Sequence, residues 1–257
     1  MSLYGLNERT WLMASGASPF RSLGANVKVS IEAYGTRIID CGVQAPGGLE
    51  AGRMVAEICL AGLGQVAIVP GDQDLWPGPA VTISTDQPIA ACMASQYAGW
   101  QITGENFFAM GSGPMRAAYG KEKLFDDIGF RERPSRAVGV LETSKLPPEE
   151  VCRKIAADCG VEPKALTLVC ARTASIAGHV QVVARSVETA LHKMHELGFD
   201  LNRVQSGYGI APLPPIAKDD ITGIGRTNDA VLYGGFVTLW VRGDDESLVD
   251  LGPKIPS

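Results

Sequence analysis

The chain has 257 residues, of which 46% are hydrophobic, and a formal net charge of −5, so it is long and apolar enough to bury a sizeable core. It contains no basic run that would bind a phosphate backbone, which argues against a nucleic-acid partner. Gly, Pro or charged residues interrupt every apolar run before the ~20 residues that a membrane span requires, so we expect no membrane partner.

Cysteine usage and the first residues indicate the compartment. Residues 1–26 contain only a short apolar run around Trp11 with Arg9 ahead of it, which is not typical of a secretory signal. The six cysteines include no CxxC motif, and most have apolar neighbours, so we expect reduced core residues in a cytoplasmic protein. Cys152 and Cys159 are seven residues apart on a predicted helix, but no nearby His completes a ligand set, and we expect no metal site.

Alternating and apolar segments predict strands in the first half of the chain. They are residues 27–31, 37–41, 66–69 and 80–84. Tyr34-Gly35-Thr36 joins the first two into a predicted hairpin. The segment GVQAPGGLEAG (residues 42–52) leads into a predicted helix through residues 54–59. Its Pro46-Gly47-Gly48 step is either a turn or a loop that lets a ligand approach backbone N–H groups at a helix start.

Two further segments of this half combine small residues with polar ones. Residues 88–100 predict a helix of small residues that packs closely against its neighbours, with Gln96 and Tyr97 beside the small face. A Gly-Ser-Gly-Pro turn then opens a predicted helix at Pro114 and presents the Ser112 hydroxyl at the positive helix end. Within that helix, Arg116 is able to bind a carboxylate, with a surface salt bridge as the ordinary alternative.

The second half begins with a predicted strand, helix and strand at residues 137–142, 147–159 and 165–170, after which a loop carries Thr173 and Ser175. A Gly/Pro-rich segment, residues 201–215, is predicted as a long surface connection. A strand pair is predicted around residues 231–233 and 237–241, where the preceding Asn228 and Asp229 either cap a turn or bind substrate. The charged link at residues 131–136 predicts a boundary between subdomains 1–133 and 134–257.

The strongest helical periodicity lies in residues 172–198, where apolar residues recur at about 100° per residue and Gly198 is a stop signal. A narrow polar stripe flanks the apolar face and consists of Gln181, Arg185, Glu188 and His192. Arg185 and Glu188 are three residues apart and close enough to pair. The pair is either a surface salt bridge worth about 0.3–0.5 kcal/mol or part of a cleft wall.

Four separated motifs resemble those of the methenyltetrahydromethanopterin cyclohydrolases. TASIAGHVQVVARSVETALHKM is similar to the family pattern, which runs approximately P-T-x-S-x-x-G-x-x-Q-x-x-x-R-x-x-E. The other motifs are DCGVQAPGGLEAG, FFAMGSGP joined with SQYAGW, and GRTNDAVLYGG. The resemblance spans approximately residues 38–257, whereas residues 1–33 match poorly. Archaeal members carry Lys where this chain has Tyr97, and members normally continue past the position of Ser257, which indicates a shortened version.

The irregular order of strands and helices predicts an α+β fold in which two α/β subdomains enclose a central substrate cleft. The resemblance implies a homotrimer that reversibly hydrolyses 5,10-methenyltetrahydromethanopterin to the N5-formyl compound without metal or redox cofactor. In that reaction Glu188 is the expected base and acid, and Arg185 is expected to orient it through a charge-assisted hydrogen bond. The candidate substrate contacts are Ser175, Gln181, Gln96, Tyr97, Ser112, Thr227 and Asn228.

Two other functions are compatible with the sequence. A pterin-binding homologue without turnover is motivated by Tyr97 and by the divergent residues 1–33, and a structural oligomerisation protein would have a featureless cleft. The sequence lacks a GxGxxG after its first strand, a P-loop and an HExxH motif, which argues against dinucleotide, nucleoside-triphosphate and zinc-hydrolase chemistry. The resemblance favours tetrahydromethanopterin or a dephospho relative over tetrahydrofolate.

Overall fold

The structure is a computed structural model of the single chain, and it describes residues 5–15, 19–72, 74 and 76–255. The strands are β1 (Lys28–Ile31), β2 (Arg37–Asp40), β3 (Gly64–Pro70), β4 (Pro79–Thr85), β5 (Trp100–Gly104), β6 (Phe107–Ser112), β7 (Ala137–Glu142), β8 (Leu166–Ala171), β9 (Val204–Pro212) and β10 (Phe236–Val241). The helices are α1 (Leu6–Ala14), α2 (Pro19–Ser22), α3 (Leu49–Cys59), α4 (Met115–Tyr119), α5 (Leu124–Ile128), α6 (Glu149–Asp158), α7 (Ile176–Val183), α8 (Ser186–Glu196), α9 (Asp220–Gly234) and α10 (Asp245–Leu251), with a π-helix at Ile89–Gln96.

These strands form two separate sheets, which confirms the predicted α+β class with two subdomains. The first sheet has the order β1-β2-β8-β7-β6-β5, and the second has the order β10-β9-β4-β3. Helix α3 contacts β7 of the first sheet and β3 of the second, so it packs against both. No helix of the described residues is long and apolar enough to cross a membrane.

The first sheet positions the candidate site because its centre is parallel. Strands β2, β8 and β7 run in the same direction, and β7 and β8 are almost continuously apolar because both of their faces are covered. Helix α6 makes the crossover between them. The carboxyl ends of β7 and β8 therefore meet at one edge of the sheet, where Glu142 and the loop before α7 lie.

The second sheet contains a strand that the sequence did not predict. The Gly/Pro-rich segment predicted as a surface connection is β9, which pairs antiparallel with both β4 and β10. Its glycines serve close packing: a Cβ at Gly207 would lie 2.7 Å from Val187 Cγ1, and one at Gly209 would lie 2.3 Å from Ser186 Oγ. The glycine content therefore reflects the approach of α8 to the sheet and not an irregular chain.

Helix α9 also corrects a prediction. The strand predicted at residues 231–233 belongs to the last turns of this helix, whereas β10 lies where the second strand was expected. The Asp219 side chain accepts a hydrogen bond from the Thr222 N–H at 2.8 Å and caps the helix start. Because this cap begins a 15-residue helix, Asn228 and Asp229 lie within regular helix and neither caps nor turns the chain.

The predicted single helix over residues 172–198 is two helices, α7 and α8, separated at Ala184 and Arg185. Arg185 has φ −92° and ψ 10°, outside the helical range. The break frees the Ala184 carbonyl, and the Gln96 amide from the π-helix donates to it at 2.9 Å. The predicted helix over residues 88–100 is likewise this π-helix followed by the start of β5, and π-helical turns are frequent at functional sites.

The subdomain boundary at residues 133 and 134 stays a prediction. Both sheets take strands from both sides of it: β1, β2, β5 and β6 precede β7 and β8 in the first sheet, and β3 and β4 precede β9 and β10 in the second. Each sheet is therefore completed only when the two halves of the chain come together.

Candidate active site

A cluster of polar side chains lies at the break between α7 and α8. Arg185 Nη2 donates to Gln181 Oε1 at 2.9 Å and lies 3.8 Å from Glu142 Oε2. Gln181 Nε2 donates to the same Glu142 oxygen at 3.0 Å. The side chains of Arg185 and Glu142 are only 12% and 15% exposed, so water screens these contacts little.

Glu142 enters this cluster from the end of β7, and it is not among the site residues predicted from the sequence. Thr173, which follows β8, donates its hydroxyl to Glu142 Oε1 at 2.5 Å, because parallel neighbours deliver their carboxyl ends to one edge. The sequence does carry a signal for it, since Glu142 is the one charged residue of the strand Ala137–Glu142. We call Glu142, Thr173, Gln181 and Arg185 the polar cluster.

Glu188 lies on α8 and is 5% exposed. Burial raises its pKa to about 7, although the positive charges of Arg185 and Arg116 oppose the rise. Among the described residues no hydrogen bond or ion pair joins Glu188 to Arg185, whose guanidinium is instead held by Gln181 beside Glu142. The predicted direct pairing of Arg185 with Glu188 is therefore wrong, and Glu188 is a nearly isolated carboxyl that titrates near neutral pH.

Arg116 forms the second cation near Glu188, and it is fully buried rather than in the surface salt bridge that was the ordinary alternative. Its Nε and Nη2 donate to the two carboxylate oxygens of Glu122 at 2.9 and 2.7 Å, and its Nη1 donates to the Met93 carbonyl. The Tyr97 ring lies beneath this guanidinium, with 4.9 Å from Arg116 Cζ to the ring centroid. His192 stacks on the same ring at 4.8 Å.

The remaining predicted contacts lie in different surroundings. The Ser175 hydroxyl is used in capping α7, because it accepts from Gly178 N at 2.9 Å and donates to the Arg172 carbonyl at 2.8 Å. Ser112 adjoins the polar cluster through Cys59 Sγ, which is 3.5 Å from Ser112 Oγ and 4.0 Å from Gln181 Oε1.

Thr227 is buried and its hydroxyl donates a hydrogen bond within α9. Asn228 is exposed on α9. The substrate-binding roles of these residues stay predictions.

The break between α7 and α8 also has unused hydrogen-bonding capacity. Gln96 Oε1, Arg185 Nε and Ser186 Oγ are buried and have no hydrogen-bond partner among the described residues. A buried polar atom without a partner costs about 1–3 kcal/mol. An acceptor, a donor and a hydroxyl without partners among the described residues therefore lie close together at this break.

A groove of about 490 Å³ opens beside the polar cluster, within the volume range of small-molecule sites. Glu142 and Thr173 line it together with Phe107, Met110 and Lys145. Arg185 and Glu188 are not among its lining residues. In the part of the chain that the structure describes, no group of three or more His, Cys, Asp or Glu side chains is arranged to hold a metal ion.

The loop after β2 does not present free N–H groups at its start. The Asp40 carboxylate accepts the backbone N–H groups of Gly42, Val43, Gln44 and Ala45, at 2.7–3.0 Å. Gly47 has φ +72°, and a Cβ there would lie 2.4 Å from the Cys41 carbonyl oxygen. The positive φ of Gly47 agrees with the turn interpretation of Pro46-Gly47-Gly48. Helix α3 begins after Gly48 without a side-chain cap, so the alternative of a ligand at the helix start stays a prediction.

The fold and the site together define the class of protein. A buried carboxyl with a pKa of about 7, in the electrostatic field of two guanidinium groups, is suited to accepting and returning a proton. These features are those of an enzyme that uses a carboxyl group as a general acid or base.

Comparison with known proteins identifies the particular family. The family model described as Cyclohydrolase (MCH) matches residues 12–257. The chain belongs to this family, which confirms the resemblance seen in its four motifs.

Named relatives agree with this assignment. The chain is 50% identical over 232 residues to the methenyltetrahydromethanopterin cyclohydrolase of Xanthobacter autotrophicus, a match that covers 90% of this chain and 68% of that relative. It is 48% identical over 248 residues to the enzyme of the same name from Rhodopirellula baltica, covering 95% and 73%. For the enzyme of that name from Methanosarcina barkeri, identity is 46% over 226 residues, covering 87% and 70%.

Proposed function

We propose that this chain reversibly hydrolyses 5,10-methenyltetrahydromethanopterin to N5-formyltetrahydromethanopterin in one-carbon metabolism. The observation that carries the proposal is the buried Glu188 carboxyl. Its pKa of about 7 is close to neutral pH, so this one group is suited both to accepting and to returning a proton. The names of the relatives support the choice of substrate.

The substrate's own chemistry decides what the protein has to supply. The methenyl carbon belongs to a cationic amidinium and is already electrophilic, so water attacks it without prior activation of the carbon. Glu188 takes a proton from that water as the C–O bond forms, and it gives this proton to N10 as the C–N10 bond breaks. The remaining hydroxyl proton is released to solvent as the formyl C=O forms, so hydrolysis of the cation yields one proton. We propose that this reaction requires neither a metal ion nor a redox cofactor.

The other groups position the reactants. Arg185 and Gln181 offer cationic and amide donors at the break between α7 and α8, and Gln96 offers the unpartnered acceptor Oε1. Tyr97 places a half-buried phenol where archaeal members carry Lys. Burial, and then the charge of Glu188, raises the pKa of Tyr97, so its hydroxyl is neutral at physiological pH. We propose that it contacts the substrate by hydrogen bonding or stacking and not as a cation.

The activity has an expected pH dependence. Because a general base acts in its deprotonated form, turnover of the methenyl pterin should rise with pH and reach half its maximum near pH 7, the value set by Glu188. The measurement follows the loss of the amidinium absorbance with purified protein, and the spontaneous rate at each pH is the control. No loss above that rate would favour a pterin-binding homologue without turnover, and equal or better turnover of methenyltetrahydrofolate would overturn the choice of pterin.

We propose a homotrimer as the assembly, as the family resemblance implies. Large apolar side chains on α9 and on the edge strand β10 support self-association, since Ile221, Tyr233, Phe236 and Trp240 are 85%, 78%, 62% and 54% exposed. Light scattering should give three times the chain mass. Phe236→Glu should lower that mass, whereas Leu12→Glu, at an exposed position of α1, should not. A monomer at low micromolar concentration would contradict the trimer.

We also propose a cytoplasmic location with a small-molecule pterin as the partner, and no nucleic acid or membrane. The six cysteines are all free and buried, and such thiols persist in a reducing compartment.

A further inference from the structure

Arg185 is located between two carboxylates that reach it from different elements. Glu188 belongs to α8, which begins immediately after Arg185, and Glu142 ends β7 in the first sheet. The guanidinium lies 3.8 Å from Glu142, and no ion pair joins it to Glu188 among the described residues. Glu188 is closer than Glu142 to Arg185 along the chain, so another interaction has to place the Arg185 guanidinium beside Glu142.

We infer that Glu142 is a positioning residue, which holds the Arg185 guanidinium on Gln181 and away from the Glu188 carboxylate. The inference rests on the proposed function, since it assigns Glu142 a part in the same site.

The hydrogen bonds of Glu142 hold its carboxyl group in one position. Its Oε1 accepts from Thr173 at 2.5 Å and its Oε2 accepts from Gln181 at 3.0 Å, so both oxygens are restrained. Gln181 in turn accepts from Arg185 through its own oxygen at 2.9 Å. The amide thus links the carboxylate to the guanidinium, and the orientation of each group is set by the next.

The consequence concerns the proton affinity of Glu188. An opposite charge that comes within about 4–6 Å lowers the pKa of a carboxyl by about 1–3 units. If Arg185 turned from Gln181 to Glu188, the carboxylate would become a weaker base and would release protons too readily to serve N10. By holding Arg185, Glu142 keeps the proton affinity of Glu188 suited to both proton transfers.

Arg185 is the charged group near Glu188 whose position depends on Glu142. Arg185 at the break and Arg116 from α4 are the charged groups that act on Glu188. The charge of Glu188 in turn acts on Tyr97 and Cys92 of the π-helix segment, and His192 on α8 stacks on the Tyr97 ring. Glu122 binds Arg116 through two hydrogen bonds and fixes it. The pKa values of Tyr97 and Cys92 are raised by burial, so both are neutral at pH 7. Only the Arg185 guanidinium depends on Glu142.

The test is Glu142→Gln, which keeps the shape and the acceptor for Thr173 but removes the charge. We expect the acid limb of the turnover–pH profile to move to lower pH by about one unit, because Arg185 is released toward Glu188. The matched control is Glu149→Gln, which removes an exposed carboxylate paired with Arg153 on α6 and should leave the limb in place. A folded Glu142→Gln protein with reduced turnover and an unmoved limb would overturn the inference, because a structural role lowers activity at every pH.

Two further measurements keep the inference testable. If Glu142→Gln does not fold, Thr173→Val removes the hydrogen bond to Oε1 and should move the limb in the same direction by a smaller amount; an unmoved limb there would overturn the inference. A crystal structure of Glu142→Gln should show Arg185 within 4 Å of Glu188, and a guanidinium unchanged on Gln181 would contradict it. Absence of turnover in the wild-type protein would instead reject the proposed function, while the crystal structure would still test the positioning of Arg185.

Discussion

Glu188→Gln should lower turnover of the methenyl pterin by about 10²–10⁴-fold while pterin binding is retained. The glutamine keeps the size and hydrogen-bonding capacity of the side chain but cannot accept a proton. The loss should appear in kcat, measured from the amidinium absorbance, and the dissociation constant for the pterin should change little. Full activity in this variant would remove the mechanism, whatever the family membership.

The same substitution should make the protein more stable above neutral pH. Glu188 has a pKa of about 7 in the folded chain instead of 4.5, so the folded state binds the proton more tightly than the unfolded state. The free energy of unfolding of the wild type therefore decreases as pH rises through this interval. Glu188→Gln removes the decrease and should gain up to about 3 kcal/mol at pH 8 and little at pH 4. Equal unfolding free energies of the two proteins at pH 8 would show that Glu188 is solvated.

Arg116→Met should cost about 3–5 kcal/mol of unfolding free energy, the largest stability effect that we expect from a single change. The substitution keeps an unbranched side chain of similar length but leaves Glu122, whose side chain is 16% exposed, and the buried Met93 carbonyl without their donor. It also removes the guanidinium that lies over the Tyr97 and Phe125 rings. Urea unfolding followed by circular dichroism measures the difference.

The control for this prediction is Arg153→Met. Arg153 pairs with Glu149 on α6, and the two side chains are 55% and 54% exposed, so the substitution should cost less than about 1 kcal/mol. If both substitutions cost the same, the buried Arg116–Glu122 pair contributes no more to stability than a surface salt bridge does.

Local patterns in the sequence determined much of the secondary structure. The predicted strands at residues 27–31, 37–41, 137–142 and 165–170 correspond to β1, β2, β7 and β8, and the helix at residues 147–159 corresponds to α6. Alternation and helical periodicity indicate which face of a strand or helix is buried, and a few neighbouring residues are enough to detect them. The four motifs likewise identified the family, because they are contiguous runs of residues.

Patterns failed where an element's conformation depends on a distant partner. The apolar periodicity continues through Ala184 and Arg185, yet the helix breaks there and the freed carbonyl is satisfied by Gln96, 88 residues earlier. The glycines of β9 predicted a loop. Glycine content alone does not reveal that α8 packs closely against this strand. Neither the amide donor nor the packed helix is encoded within a local window.

The chemistry of the site shows the same division. The sequence by itself predicted that Gln181, Arg185 and Glu188 lie on one polar stripe of a continuous helix, since positions 181, 185 and 188 recur at helical spacing. Only the tertiary structure decided which carboxylate Arg185 faces, because Glu142 arrives from a strand 39 residues before Gln181. Only the tertiary structure decided that Arg116 is buried and that Glu188 is desolvated. Burial and the distances between charges set the pKa of Glu188, and both are properties of the assembled fold.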